Sequence, residues 1–431
     1  MIREIIQRQK FEKEQLIKAN YIEREKFVFA KSWLSTDLVK VIIGPRRAGK
    51  SVFALMLLRE VPFIYFNFYD EIFISNNQVD TDELIKELHA VYGGINTILF
   101  DEVQNLPNWE LFVERLKREG YNLIITSSNA KLLSKELATS LTGRHIPIEI
   151  MPFNFKEFLL ANNYKLDNEF ISVPQKKGEL LNLIEKYLTE GGFPEVVVKN
   201  FGVEEYLGVL FDSILFKDVV KRYKVRFSNQ IQNLASFLVN NFSSYYTLRK
   251  LKEALSLRSV TTVEKYIEYL EEAYLIFHLD CFSFKFSGKS KSPKKVYVVD
   301  NGYINAKALR YSPDHGKLME NLVFTELVKR GFMPNRDLFY YKTRNGNEVD
   351  FVIKKDLKVT ELIQVSYQTN NIITEQREIK SLVQASKELN GDLLTVLTWD
   401  EEKDVHSNDK VIHFVPLWKW LMGLPNKAGS E

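Results

Sequence analysis

What the chain lacks narrows its class first. One cysteine, Cys281, stands alone among 431 residues, so no disulfide framework is available and a reducing compartment is expected. Six histidines are scattered along the sequence, and with a single thiol they assemble no zinc site. No charge-free apolar run approaches the roughly 20 residues that a bilayer-crossing helix needs. The opening stretch, MIREIIQRQKFEKEQLIKAN, carries charge throughout and does not read as a signal peptide. A soluble, cytoplasmic protein without a membrane partner is therefore expected. Internal repeats and low-complexity tracts are missing too. Neither sign of charge is in excess: 59 Lys and Arg face 56 Asp and Glu, a net of +3. Charge on the whole chain thus demands no polyanionic partner, and only local clusters are informative.

What is present is the composition of a folded globular protein, 45% hydrophobic and 27% charged. The length calls for two or three domains. From Asp37 to about Ile150 short apolar runs alternate with helical patterns. The runs are VKVIIG, PFIYFNFY, NTILFDE, NLIITSS and HIPIEI, with SVFALMLLRE, DTDELIKELHAVY and WELFVERLKREG between them. Near-continuous apolar strands separated by helices predict a parallel α/β sheet buried on both faces. Asp80 and Glu83 have the spacing of a capping box. From Met151 to about Tyr246 the pattern turns helical. Residues 247–284 suggest a winged-helix unit: Thr247 caps TLRKLKEALSL, and TTVEKYIEYLEEAY presents Val263, Tyr266, Ile267 and Leu270 on one face. The strand pair LIFHLDCFSFKF is expected to close it. Beyond Val296, a helix, three strands, a second helix and a further strand predict an α/β domain with a mixed sheet.

Chemistry concentrates after the first strand. Gly44, Pro45, Arg46, Arg47, Ala48, Gly49, Lys50 and Ser51 match G-x-x-x-x-G-K-[ST], between a strand and a helix as that motif requires. The glycines let the backbone curl around a phosphate with its N–H groups inward, and the helix start through Val52 adds a positive dipole end. Lys50 is the charge for β- and γ-phosphates, and the Ser51 hydroxyl is a Mg²⁺ ligand. About 50 residues on, Asp101 and Glu102 end an apolar strand. Asp101 is expected in the Mg²⁺ shell and Glu102 as general base toward the attacking water. An intervening strand and the paired acids place the fold among additional-strand P-loop NTPases, with NLIITSS lying beside the first strand. Two readings stand for Ser127, Ser128 and Asn129 at its tip: γ-phosphate sensing, or capping of the helix AKLLSKEL. Arg144 is either a solvated charge or an arginine finger stabilising charge on the transferring phosphoryl group. Action in its own subunit or, in a homo-oligomer, on a neighbour stays open.

With these residues assembled, the chain resembles a family of archaeal and bacterial AAA+-like ATPases whose C-terminal domain of unknown function is similar to PD-(D/E)xK restriction-type nucleases. GPRRAGKS, ILFDEVQ, ITSSNAKLL, LTGRHIPIEIMPFNFKEFL, EGGFPEVV, FKDVVKRY, VTTVEKYIEYLEEAYLIF, KVYVVDNGYI, GKLMENLVFTEL and NEVDFVI follow one another in family order. The resemblance implies ATP as ligand, Mg²⁺-dependent hydrolysis and a winged-helix middle. It divides the chain into an N-terminal helix plus P-loop ATPase domain (1–150), a helical lid and winged-helix domain (151–290), and a nuclease-like domain (291–431). In that last domain Glu320 and Asp350 match the nuclease pattern. The third element should read Glu/Gln-x-Lys; Gln364 can still offer an oxygen to a metal, but Ser366 stands in the lysine's place, so a degenerate site is expected.

Two basic clusters point to DNA. Lys217, Lys221, Arg222, Lys224 and Arg226 fall within ten residues, and Lys285, Lys289, Lys291, Lys294 and Lys295 occupy the expected wing. Such lysines neutralise phosphates and release counterions. Three functions compete: an ATP-driven machine acting on or with DNA, a STAND-like switch that binds a protein partner, and an ATP-gated nuclease.

Overall fold

The computed structural model describes residues 2–70, 80–129, 143–164, 173–199, 201–284, 292–309, 314–367, 372–407 and 409–424. Two compact units divide the chain, Met1–Phe153 with Glu272–Tyr274, and Asn154–Glu271 with Leu275–Glu431.

In the first unit five strands, β1 (Val39–Ile43), β2 (Ile64–Asn67), β3 (Thr97–Asp101), β4 (Asn122–Ser127) and β5 (His145–Glu149), pair in parallel in the order β2-β3-β4-β1-β5. All five expected strands form. β4 separates β1 from β3, as the additional-strand reading requires. The three central strands are buried almost throughout, which is why their sequences show no period-2 alternation. Helices cover the sheet with apolar stripes at helical spacing. In Trp109–Arg118 the residues Trp109, Phe112, Val113 and Leu116 are buried, each contributing about 1.5–3 kcal/mol. Asp80 caps Thr81–Tyr92, its side chain accepting from the Asp82 and Glu83 N–H groups. The first helix, Ile2–Lys18, buries Ile5, Ile6 and Gln9. The Gln9 amide pairs with both backbone groups of Asn67, donating at 3.0 Å and accepting at 2.9 Å. That side chain satisfies the open edge of β2, a place where an unpaired strand would recruit another.

The second unit opens with helices, among them Pro174–Glu190 and Val203–Ile214, the latter continuing as a π-helical segment Leu215–Lys221. A helix Ser228–Asn240 leads to β6 (Ser244–Tyr246), helices Leu248–Ala254 and Val260–Glu272, β7 (Ile276–Leu279) and β8 (Lys294–Val298). Thr247 caps as expected, accepting from the Lys250 N–H at 3.3 Å, and Val263, Tyr266, Ile267 and Leu270 are all buried. The expected strand pair is corrected: among the described residues β7 pairs not with residues 280–284 but with β8, in a sheet ordered β6-β8-β7. The reason is local. The Phe282 N–H donates to Tyr340 O at 2.7 Å and its ring joins the C-terminal core, so chain after Asp280 leaves for the other sheet.

That sheet has six strands, β9 (Leu338–Lys342), β10 (Glu348–Lys355), β11 (Lys358–Ser366), β12 (Leu393–Thr398), β13 (Lys403–Ser407) and β14 (Lys410–Pro416). It is mixed as expected, with β11, β12 and β14 parallel and the rest antiparallel. Helix Ile372–Leu389 covers one face with Leu382, Val383, Ala385 and Leu389. Among the described residues no helix is long and apolar enough to cross a membrane.

Candidate functional site

The site is built where β1 ends. Gly44 has φ +142, and a Cβ there would lie 2.0 Å from Ile150 O. Only glycine lets the chain turn beneath the end of β5 at that point. Arg47 (φ 67) and Gly49 (φ 92) are left-handed. The loop therefore curls back on itself: the Ala48 N–H donates to Pro45 O at 3.2 Å and Lys50 Nζ to the same oxygen at 2.8 Å. Helix Lys50–Leu57 starts at the loop's end, so its positive dipole end faces the concavity. Arg46 lies 5.3 Å from the Tyr69 ring centre, and Arg47 is exposed. Beneath the loop lies a residue that the sequence pattern did not flag. Arg24 is 8% exposed, its Nη1 donates to Ala48 O at 2.9 Å, its Nη2 donates to Met151 O, and it stacks 5.0 Å from the Phe153 ring centre.

Opposite the loop, β3 delivers the acids. Ser51 Oγ donates to Asp101 Oδ1 at 2.8 Å, joining the two residues expected to hold a cation. The Tyr65 hydroxyl donates to Oδ2 at 3.2 Å, and the Thr126 hydroxyl to Oδ1. Asp101 is 2% exposed. Burial raises its pKa, the Glu102 charge adds to the rise, and the Thr126 and Ser51 hydroxyls and Lys50 oppose it. Glu102 sits at φ 53, a conformation that costs a non-glycine residue energy and recurs at functional sites. Its N–H donates to Thr126 Oγ1 at 2.9 Å. Its carboxylate accepts from Ser128 Oγ at 3.3 Å and from the Gln104 amide. Of the three expected tip residues, Ser128 thus reaches Glu102. Asn129 is buried and its N–H donates to Ser127 Oγ at 3.1 Å, within the turn that ends β4. The helix these residues were expected to cap lies outside the described residues. Thr126, Tyr65 and Gln104 were missed. Thr126 immediately precedes the flagged tip, and its polarity inside an otherwise apolar run was the available signal.

Arg144 stands apart from the loop. It is exposed at the start of β5, and its carbonyl accepts from the N–H of Val39, where β1 begins. The loop lies at the other end of β1, four residues on, about 13 Å away at a strand rise of about 3.3 Å. Arg144 does not reach the phosphate loop of its own chain.

In the C-terminal sheet the structure brings Glu320, Asp350 and Gln364 together. The Asp350 N–H donates to Gln364 Oε1 at 3.3 Å, the Val365 N–H to Asp350 Oδ2 at 3.0 Å, and Lys295 Nζ joins Glu320 (2.8 Å) to Asp350 (3.1 Å). Among the described residues no group of three or more His, Cys, Asp or Glu is set to hold a metal ion. The expectation that Lys295 contacts DNA from the wing is corrected here. Lys295 is 2% exposed and is not a surface contact for DNA, because β-strand alternation turns it inward with Tyr297. Lys294 pairs with Asp280 at 3.1 Å, and Lys285, Lys289 and Lys291 lie outside the described residues. The other basic run behaves differently: Lys217, Lys221, Lys224 and Arg226 are exposed, while Arg222 pairs with Asp218 at 3.1 Å.

A parallel sheet with β4 inserted between β1 and β3, a glycine-framed loop before a helix, and an acid ending β3 together define a P-loop NTPase. Comparison agrees: the model of the AAA domain matches residues 36–159, and models of two domains of unknown function, DUF8612 and DUF4143, match 181–314 and 315–420. The chain is 39% identical over 408 residues to the uncharacterized protein MJ1544 of Methanocaldococcus jannaschii, spanning 90% of this chain and 89% of that one. It is 30% identical over 394 residues to an uncharacterized protein of Haemophilus influenzae, spanning 84% and 94%. The chain belongs to this family of AAA-domain proteins. Among solved structures, the Walker-type ATPase PABY2304 of Pyrococcus abyssi aligns with TM-score 0.44 at 15% identity, over 68% of this chain and 99% of that one.

Proposed function

We propose that the chain hydrolyses ATP with Mg²⁺ at this loop and couples that cycle to DNA. The observation that carries the reading is the 2.8 Å contact between Ser51 Oγ and Asp101 Oδ1 beneath a loop whose curvature only glycine permits at position 44. A hydroxyl and a carboxylate side by side, both oxygen donors, suit a hard divalent cation. When bound between them, Mg²⁺ would supply positive charge to the β- and γ-phosphate oxygens. The chain's own residues do the rest. Across Gly44 to Val52 the backbone N–H groups, which Pro45 lacks, hold phosphate, and Lys50 exchanges its bond to Pro45 O for a phosphate oxygen. Thr126 fixes Asp101 and, through the Glu102 N–H, the backbone of the base. Glu102 takes the proton of the attacking water, and Ser128 orients its carboxylate.

The nuclease-like and winged-helix readings of the second unit belong to the same proposal. The helix–strand–helix–helix–strand–strand order through β8 supports the winged helix, and the chain is divided at about 150 and 290 into ATPase, helical and winged-helix, and nuclease-like parts. DNA is assigned to the exposed run Lys217, Lys221, Lys224 and Arg226. The test is ATP turnover with and without duplex or single-stranded DNA. Stimulation that declines with salt and is lost when these four residues are replaced by Ala supports the DNA role. Turnover indifferent to DNA, with no salt-dependent binding, would transfer the reading to a protein-binding switch.

A further inference from the structure

Outside the nucleotide site, a cluster of buried charges lies between β8 and the six-stranded sheet. Lys295 projects from β8 and is 2% exposed. An ammonium has three N–H donors, and here each finds a different carboxylate: Glu320 Oε1 at 2.8 Å, Asp350 Oδ1 at 3.1 Å, and Glu348. The Tyr297 hydroxyl donates to the same Glu320 oxygen at 2.7 Å, and the Tyr245 ring lies 5.5 Å from Nζ. Three carboxylates from a helix and a strand converge on one point, and that point is occupied by a side chain of the protein itself.

We propose that Lys295 is a built-in cation standing where a divalent metal would have to sit, so that the carboxylate set Glu320, Glu348 and Asp350 is a latent metal site which the chain itself keeps closed. The charges require some cation. Isolated buried carboxylates are costly, and removing their one counter-charge leaves them uncompensated. Burial opposes the ammonium, yet the surrounding Glu320, Tyr297, Asp350 and Glu348 hold its pKa well above the ordinary lysine value. Burial pushes Glu320 up to about 7 against the pull of Lys295. A divalent ion and an ammonium cannot share the centre. With no free N–H left on Nζ, Lys295 is committed to the carboxylates rather than to a water or phosphate. The lysine also ties the three-stranded sheet, which supplies it, to β10, which supplies two of its partners.

The test uses Mn²⁺ as probe on the nucleotide-free full chain, with the free ion counted by electron paramagnetic resonance. Asp350→Asn is run beside each variant so that only binding through this cluster is scored. Wild type is expected to bind no Mn²⁺ that Asp350→Asn removes. Lys295→Ala is expected to gain one such site per chain, at least tenfold tighter than anything wild type shows. Lys295→Met keeps the volume without the charge and should gain a weaker site, and Lys295→Arg should gain none. Stoichiometric, Asp350-dependent binding by wild type would overturn the proposal, and this result needs no variant of Lys295 to fold. So would Lys295→Ala and Lys295→Met chains that fold and bind no more than wild type.

Discussion

Asp101 shows how much of the site is decided by single side chains. Its raised pKa means that the folded, nucleotide-free chain holds that proton more tightly than the unfolded chain does. The resulting stability is present below the unfolded carboxylate pKa and is lost as pH rises through the folded value. A cation needs the deprotonated form, so Mg·ADP affinity is expected to rise with pH over the range in which Asp101 ionises. Thr126→Val removes a hydroxyl that favours the carboxylate. It should move that rise to higher pH in calorimetric titrations, and a rise moved to lower pH, or a flat profile in both proteins, contradicts the assignment. At this scale the sequence was legible where chemistry follows a fixed spacing: Lys50, Ser51, Asp101 and Glu102 stand where the pattern put them. It was not legible for Arg24, Thr126 or Lys295. Each acts through a partner at least 24 residues away in sequence, and nothing in their local sequence says which partner the fold will bring.

Elements add a second kind of constraint, visible in two glycine-bearing motifs outside the nucleotide site. Gly191 has φ +78, and a Cβ on it would lie 1.7 Å from Asp300 Oδ1. Asp300 is buried and accepts from the Gly192 and Gly302 N–H groups, each at 2.9 Å. EGGFPEVV and KVYVVDNGYI are thus two halves of one hydrogen-bonded joint between helix Pro174–Glu190 and helix Asn301–Lys307. Asp300→Ala leaves two buried donors without that acceptor, and it should lower stability by about 2–4 kcal/mol. Chemical denaturation checks this, and a loss below about 0.5 kcal/mol, the usual range for surface substitutions, would contradict the joint. Strands buried on both faces were readable from composition alone. The pairing of β7 was not, because its partner β8 begins only at Lys294, with 14 residues between it and Leu279, and Phe282 is drawn into another core. β13 was missed for a related reason. KDVHS is a half-exposed, charged edge strand, and edge strands carry charge precautions rather than an apolar signature.

For the whole molecule, Arg144 raises the question of assembly. Since it lies at the far end of β1 from its own loop, a finger role would require a neighbouring copy. Turnover per chain is then expected to rise with protein concentration. Arg144→Ala should slow it about 10³-fold or more with little change in nucleotide affinity, and concentration-independent turnover unchanged by the substitution would return Arg144 to a surface role. All of this presupposes the glycine-framed loop facing an acidic pair, and one comparison tests that directly. Mg·ATP affinity and single-turnover hydrolysis should be measured together for wild type, Lys50→Ala and Glu102→Gln. The account predicts that Lys50→Ala loses affinity and hydrolysis together, whereas Glu102→Gln keeps wild-type affinity and retains uncleaved ATP. Wild-type chain that takes up no adenine nucleotide with Mg²⁺, or a Glu102→Gln chain that hydrolyses at the wild-type rate, would contradict it.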